Sequence, residues 1–292
     1  MQYLQASFHL HPYSEAAGDV LCAFLGEIGF ESFVATNDGV EAYIQKKLFN
    51  PCALNSLIND FPLPCAITFE TTPVATTNWN EEWEKHGFSP ICHPLFIIHD
   101  PGLTQEERAR LHASTFPDGQ GDWHYDITIR PMMSFGSGSH ATTRQIVEQL
   151  MDLDLDNKDV LDMGCGTGIL GIVAALRGAR HVTAIDIDDI CAESTRENAR
   201  LNGIDNMEVA LGDASMLQHY GPFDLILANI HKNIILRDME NYVARLKDNA
   251  IVVFSGFFEE DTKEMVEKGL TLGLSLNTIT QRDGWAVVEM RR

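Results

Sequence analysis

The sequence lacks the features that mark membrane proteins, disulfide scaffolds and zinc sites. No run approaches the roughly 20 consecutive apolar residues that span a bilayer, and the start has no basic region followed by an apolar one. The six cysteines are scattered and include no Cys-x-x-Cys pair. This spacing is typical of reduced thiols rather than of disulfides or zinc ligands. We therefore expect a cytoplasmic protein with no secretory signal, membrane span or metal site.

Basic side chains are scarce as well. The chain holds 42 aspartate and glutamate residues against 21 lysine and arginine residues, a formal net charge of −21. Before Lys85, the only lysine or arginine residues are Lys46 and Lys47. Because such a chain would repel phosphates, we expect no direct binding of nucleic acid. A basic protein partner would be attracted, although solubility alone also accounts for charge spread over a surface.

The first quarter of the chain predicts a small domain of its own. Residues 1–75 alternate between strand-like and helix-like segments in the order β-α-β-β-α-β, with Ser14 as a candidate N-cap and Pro51 in the first turn of a helix. This order is that of a ferredoxin-like α/β domain. Residues 76–94 are polar and contain two tryptophans. They favour a linker with one short helix.

Residues 95–292 have a different pattern. Short apolar runs alternate with helical stretches, which indicates a parallel sheet covered on both faces. The last segments instead predict two strands joined by a turn at "RDG", which would add antiparallel strands at one edge. The fold class is therefore α/β, with a Rossmann-like domain after the small ferredoxin-like one.

The strongest local motif is "VLDMGCGTGILG". A buried strand ends near Asp162, glycines follow at positions 164, 166 and 168, and a helix then begins. Glycine lets the backbone approach a ligand closely, and open α/β sheets bind ligands at this end of a strand. Two interpretations remain open. Gly166-x-Gly168-x-x-Gly171 satisfies the dinucleotide fingerprint, whereas the run from Asp162 to Gly168 resembles the first motif of S-adenosylmethionine-dependent methyltransferases.

Polar residues also end the following strands. Asp186 closes "HVTAIDID" and is a candidate acceptor for both ribose hydroxyls under either interpretation. Asp213 ends the third strand, where it is a candidate acceptor for an adenine amino group or a helix N-cap.

Asn229 ends the apolar run "LILA" and favours a methyltransferase. Its amide oxygen could hold the hydrogens of a substrate amine and aim the nitrogen lone pair at a methyl group, which a hydride-transfer enzyme does not need. The residues that follow, Ile230 to Lys232, include no phenylalanine, tyrosine or tryptophan ring on which a flat base could stack. We therefore expect an aliphatic amine as the acceptor and Asn229 as the catalytic residue.

Together these segments resemble the bacterial ribosomal protein L11 methyltransferases over nearly the whole chain. The segments that carry the resemblance are "NWNEEWEKHGFSP", "SFGSGSHATTRQ", "VLDMGCGTGILG", "AIDID" and "LANI". The resemblance implies a seven-stranded class I methyltransferase domain that uses S-adenosylmethionine. It also implies that lysine ε-amines and the α-amine of a basic large-subunit ribosomal protein are methylated, and that the first domain recognises this substrate.

The resemblance further implies a set of site residues. The family's cofactor contacts fall on Thr143, Gly164, Asp186 and Asn229, to which Gly166 and Asp213 add from the motifs above. We expect Thr143 to contact the methionine end of the cofactor and Phe135 to shape a wall around it.

Some alternatives remain open. His140 could relay a proton or simply fix its own loop. The alternative functions for the whole chain are an NAD-dependent oxidoreductase, a non-catalytic ribosome-assembly module and an RNA methyltransferase. We expect a monomer.

Overall fold

The computed structural model describes residues 3–36, 38–59, 61–73, 88–130 and 140–292. The chain divides into two compact units, Met1–Glu82 and Trp83–Arg292. The helix predicted within the 76–94 linker falls mostly outside the described residues, as do Phe135 and the glycines of its loop. The predicted limits of the linker therefore remain predictions.

The first unit has the predicted ferredoxin-like fold. Its elements are β1 (Tyr3–His11), α1 (Glu15–Glu27), β2 (Phe30–Ala35), β3 (Gly39–Gln45), α2 (Pro51–Asn59) and β4 (Ala66–Pro73). The antiparallel sheet has the order β2-β3-β1-β4. Ser14 caps α1 by accepting a hydrogen bond from the Ala17 amide (3.2 Å). Alternate β1 residues such as Phe8 and Leu10 are buried in the core of this unit, which is the period-2 pattern of a strand with one covered face.

The second unit contains the larger sheet and its helices. Its first elements are β5 (Ile91–Cys92), β6 (Phe96–His99), α3 (Gln105–Thr115), β7 (Tyr125–Thr128), α4 (Ala141–Asp152), β8 (Asp159–Met163), α5 (Ile169–Leu176), β9 (His181–Asp186) and α6 (Asp189–Leu201). The remaining elements are β10 (Met207–Leu211), β11 (Phe223–Asn229), α7 (Lys232–Val243), β12 (Leu246–Phe258), α8 (Thr262–Thr271), β13 (Ser275–Arg282) and β14 (Trp285–Arg291). Two 3-10 helices, Ala214–His219 and Glu259–Asp261, follow β10 and β12.

The main sheet confirms the predicted Rossmann-like class. Its order is β10-β9-β8-β11-β12-β14-β13, with the first five strands parallel and β14 antiparallel to both of its neighbours, β12 and β13. Its central strands are buried on both faces, since side chains of both orientations, such as Leu161 and Val160, lie in two separate cores. That burial explains why these strands are continuous apolar runs in the sequence.

The turn predicted at "RDG" joins the last two strands. Arg282 pairs with Trp285, so the connection has two residues, Asp283 (φ 53°) and Gly284 (φ 78°). Two consecutive positive φ angles are characteristic of the type I′ turn, whose twist matches that of a β-hairpin. The predicted antiparallel edge is confirmed.

Several elements of the second unit were not predicted from the sequence. Strands β5 and β6 were missed, whereas "HYDITIRPMM" predicts the strand that is β7, and the three form a separate sheet. The helices α3 and α8 were also missed. Helix α3 buries none of its residues, so it has no apolar stripe to reveal it. Across the described ranges, no helix is both long and apolar enough to cross a bilayer.

Candidate functional site

A cavity of about 560 Å³ opens at the carboxyl ends of the parallel strands. Residues that line it follow directly on β8 (Gly164), β9 (Ile187), β10 (Gly212) and β11 (Ile230). This is the edge where open α/β sheets bind ligands, and the volume lies within the range of small-molecule sites. Of the predicted site residues, Gly164, Gly166, Asp186, Asp213 and Asn229 all line this one cavity.

The glycine loop after β8 requires glycine for two physical reasons. The φ angles of Gly164, Gly166 and Gly168 are +72°, +56° and +81°, which residues with a Cβ rarely adopt. A Cβ at position 164 would also lie only 2.1 Å from Cγ2 of Ile230. The loop is held in place because the Gly164 amide donates to the carbonyl oxygen of Ile185 (2.8 Å).

Asp186 connects the glycine loop to the end of β9. Its Oδ2 accepts a hydrogen bond from the Gly166 amide (2.9 Å), and its Oδ1 accepts one from the Asp188 amide (3.0 Å). The side chain is buried and lines the cavity. Each carboxylate oxygen has a second lone pair, so Asp186 can also accept hydrogen bonds from hydroxyl groups of a ligand.

Asp213 is a helix N-cap, as one interpretation of its place in the sequence predicted. It caps the 3-10 helix Ala214–His219, because Oδ1 accepts hydrogen bonds from the Ser215 hydroxyl (2.6 Å) and the Ser215 amide (2.9 Å). These bonds hold the pKa of Asp213 below its usual value. The residue also lines the cavity.

Asn229 presents a buried acceptor that has no partner among the described residues. Its Nδ2 donates to Oγ1 of Thr143 (3.4 Å), which fixes the orientation of the amide. Its Oδ1 is buried and finds no hydrogen-bond partner among the described residues. An unsatisfied buried acceptor costs about 1–3 kcal/mol, and such exceptions occur where a ligand completes the bonding. The amide oxygen of Asn229 is therefore available to a donor that enters the cavity.

Thr143 reaches the site through Asn229. It lies in the first turn of α4 and is buried, while its neighbour Thr142 lines the cavity. The expected contact of Thr143 with a ligand remains a prediction. Its hydrogen bond to Asn229 gives it a second role, which the sequence did not suggest.

Two histidines line the cavity and cap helices. Nδ1 of His140 accepts a hydrogen bond from the Thr142 amide (3.3 Å), and Nδ1 of His231 accepts one from the Asn233 amide (3.3 Å). A ring that accepts at Nδ1 carries its proton on Nε2, so taking up another proton would break the cap. Burial also lowers the pKa of His140. The geometry favours the structural role for His140.

The charge of the cavity favours a cation. Within the described part of the chain, three carboxylates line it, those of Asp186, Asp213 and Asp238. The lining arginine, Arg237, makes a bidentate ion pair with Asp238 (2.8 and 2.7 Å). Because that guanidinium already has a carboxylate partner, the remaining carboxylates leave the cavity net negative.

Sequence reasoning missed several lining residues. Gly256 has a φ of +93°, and a Cβ there would lie 2.3 Å from the carbonyl oxygen of Ile230. The position of Gly256 late in an apolar strand was the one available signal. Trp285 begins the last strand, with its ring centroid 4.6 Å from that of His140 and 4.4 Å from that of Phe258. It reaches the cavity through the sheet order, which no local pattern reveals.

Comparisons with known proteins agree with this architecture. The profile of the family described as "Ribosomal protein L11 methyltransferase (PrmA)" matches residues 30–292. Proteins named ribosomal protein L11 methyltransferase from Phocaeicola vulgatus and Bacteroides fragilis are 43% and 42% identical over 290 residues, which is 99% of this chain and of each relative. The crystal structure of a ribosomal protein L11 methylase from Lactobacillus delbrueckii subsp. bulgaricus is 26% identical, with a TM-score of 0.58. It covers 70% of this chain and 99% of its own. The chain therefore belongs to the ribosomal protein L11 methyltransferase family.

Proposed function

We propose that this protein transfers methyl groups from S-adenosylmethionine to the lysine ε-amines and the N-terminal α-amine of ribosomal protein L11. Family membership supports the reaction class, and the names of the relatives support the protein substrate. The observation that carries the choice of an amine is the buried Oδ1 of Asn229, which has no partner among the described residues.

The cavity residues fit S-adenosylmethionine. Asp186 would accept hydrogen bonds from the ribose hydroxyls and Asp213 one from the adenine amino group, while the backbone of Gly164 and Gly166 would lie against the ligand. Thr143 would contact the methionine end, and Phe135 would shape a wall around it. When bound, the cofactor supplies a methyl group on a positively charged sulfur, which is already activated for transfer.

The same cavity is a poor match for a nicotinamide dinucleotide. A pyrophosphate would add negative charge to a cavity lined by three carboxylates, with Arg237 already paired to Asp238. That repulsion favours a sulfonium over a dinucleotide. Ile230 and His231 place no phenylalanine, tyrosine or tryptophan ring at the end of β11, which speaks against a nucleobase acceptor.

Asn229 would orient the acceptor nitrogen. A lysine amine has an unperturbed pKa of about 10.4 and must lose a proton before it can attack. Burial and a neighbouring positive charge lower that pKa, so the neutral amine becomes accessible. Oδ1 of Asn229 accepts one amine hydrogen and leaves the nitrogen lone pair free to face the methyl group. Because Nδ1 of both lining histidines is already used in a cap, water takes the released proton.

Two measurements test the proposal. A ligand at 100 times its Kd stabilises a protein by about 2.7 kcal/mol, so S-adenosylhomocysteine should raise the melting temperature and NAD(H) should not. Labelled methyl groups should then pass from S-adenosylmethionine to purified ribosomal protein L11. Stabilisation by NAD(H) alone would support an oxidoreductase, and cofactor binding without transfer to the ribosomal protein would support a non-catalytic module.

A further inference from the structure

Helix α6 carries a buried polar face beneath the glycine loop. Ser194, Thr195 and Asn198 all have 0% of their surface exposed. Polar side chains are seldom fully buried, and those that are must be hydrogen-bonded to avoid a large cost. The partners of these side chains therefore show what this face of the helix does.

Two of these side chains bind consecutive carbonyl groups of the glycine loop. The Thr195 hydroxyl donates to the carbonyl oxygen of Gly166 (3.0 Å) and lies 3.2 Å from Sγ of Cys165. The side-chain amide of Asn198 donates to the carbonyl oxygen of Thr167 (2.9 Å). Because each peptide unit is planar, holding two successive carbonyls fixes the orientation of two successive peptide planes.

Helix α6 also packs against the loop directly. The Thr195 methyl group occupies the space that a Cβ at Gly168 would need, since the two atoms would lie 2.7 Å apart. The amide of Gly168 donates to the carbonyl oxygen of Cys165 (2.7 Å), which closes the turn. The loop is thus held by its own turn and by two side chains of α6.

Asn198 also connects this loop to a second segment of the chain. Its Oδ1 accepts a hydrogen bond from the Arg130 amide (2.8 Å), and its Nδ2 lies 3.2 Å from the Arg130 carbonyl oxygen. One turn later, Asn202 makes the same double contact with the backbone of Thr128 (2.9 and 2.7 Å). The two asparagines differ in their contact with the glycine loop. Asn198 bonds to it, whereas the described hydrogen bonds of Asn202 do not include one to this loop.

We propose that Thr195 and Asn198 are positioning residues of the cofactor site. They act through the carbonyl groups of Gly166 and Thr167, and so set the backbone geometry that the cofactor meets. The inference rests on the proposed function, since it takes the cavity as the S-adenosylmethionine site. Its alternative is that the buried polar face of α6 only stabilises the fold.

The asparagine pair supplies a matched test. Asn198→Ala and Asn202→Ala each remove a pair of hydrogen bonds to the backbone at or just after the end of β7, at Arg130 and Thr128 respectively, so both should lower the melting temperature. Only Asn198→Ala also releases the glycine loop. Its Kd for S-adenosylhomocysteine, measured by calorimetry, should rise about tenfold, the equivalent of one lost hydrogen bond, while that of Asn202→Ala should stay within about twofold of wild type.

A second pair of variants separates hydrogen bonding from packing. Thr195→Val keeps the shape of the side chain and removes the hydroxyl, whereas Thr195→Ser keeps the hydroxyl. We expect the valine variant to raise the KM for S-adenosylmethionine about five- to tenfold with a smaller change in kcat, and the serine variant to recover most of the loss.

The outcomes separate the two claims. Equal weakening by Asn198→Ala and Asn202→Ala, or wild-type binding by both Asn198→Ala and Thr195→Val, would overturn the positioning role while the proposed function stands. Failure of the wild-type protein to bind S-adenosylhomocysteine would overturn the proposed function and the inference together. If Asn198→Ala fails to fold, the two Thr195 variants alone decide, because they leave the hydrogen bonds to Thr128 and Arg130 intact.

Discussion

At the scale of single residues, substitution of Asn229 tests the proposed chemistry most directly. Asn229→Ala removes the buried acceptor and leaves the other cavity residues in place. Because a misplaced reacting atom can cost about 100-fold in rate, we expect kcat to fall by about that factor or more. The Kd for S-adenosylhomocysteine should change less than about threefold, since the product carries no acceptor amine. Steady-state kinetics and calorimetry measure the two quantities.

The control for this variant lies on the next helix. Asn233 is exposed on α7, so Asn233→Ala makes the same chemical change on the surface and should leave kcat unaltered. Wild-type turnover in Asn229→Ala would remove the catalytic assignment.

Replacing Gly164 has two separable costs in free energy of unfolding, one from backbone strain and one from close packing. Gly164→Ala should destabilise the protein by about 1 kcal/mol for its positive φ. A further cost of about 1–3 kcal/mol should arise from the overlap with Ile230. Gly203 has a similar φ (+67°), but its Cβ would meet no atom of the described residues within 4 Å, so Gly203→Ala should show the first cost alone. Equal losses in urea unfolding would mean that the overlap relaxes without cost.

The sequence could predict those cavity-lining residues that lie at or just after the end of a strand. Gly164, Asp186, Asp213 and Asn229 each come at the end of a parallel strand, and one edge of the sheet gathers them. Other lining residues depend on how elements are arranged in space. Arg237 lies within α7, so its contribution follows from the packing of that helix and not from a motif.

At the scale of elements, Asp162 ties β8 to α5 and makes the stability of this contact depend on pH. Its Oδ2 accepts a hydrogen bond from the Gly171 amide (2.9 Å). Burial raises the pKa of Asp162 to about 7, opposed by this hydrogen bond and aided by the charge of Asp186. The folded protein therefore holds a proton that the unfolded chain releases near pH 4, so the fold loses stability as the pH rises from about 4 to about 7.

Asp162→Asn should remove this dependence, because an amide keeps an acceptor and cannot ionise. The difference in free energy of unfolding, variant minus wild type, should be about 2–3 kcal/mol more favourable at pH 8 than at pH 5. Urea unfolding at both pH values measures it. For the control Asp118→Asn, at an exposed position, the difference in free energy of unfolding from wild type should be the same at both pH values. A pH-independent difference for Asp162→Asn would show that this carboxyl is ionised throughout the range.

Helices and strands could be predicted where their burial requires a recognisable pattern of apolar residues. The strands of the main sheet are continuous apolar runs because helices cover both faces. Helix α3 was missed because it buries no side chain and is instead marked by a capping box, in which Thr104 and Glu107 bond each other's backbone amides. Strand β13 is exposed along nearly its whole length, and the turn at Asp283 and Gly284 was its main signal.

At the scale of the whole molecule, a net charge of −21 should govern the encounter with a basic substrate. Electrostatic attraction raises association rates and is screened by salt. We expect kcat/KM for ribosomal protein L11 to fall about tenfold between low and high salt, from roughly 50 to roughly 500 mM KCl. The Kd for S-adenosylhomocysteine, an internal control, should change less than about twofold. A kcat/KM for the protein substrate that does not respond to salt would contradict this role for the charge.

The most direct test of the central claim is mass spectrometry of purified ribosomal protein L11 after incubation with this protein and S-adenosylmethionine. We expect methyl groups on lysine ε-amines and on the N-terminal α-amine, and their near absence when Asn229→Ala replaces the wild type. The proposed function is wrong if wild-type protein that binds S-adenosylhomocysteine leaves the ribosomal protein unmethylated, or if the methyl groups lie on atoms other than amine nitrogens.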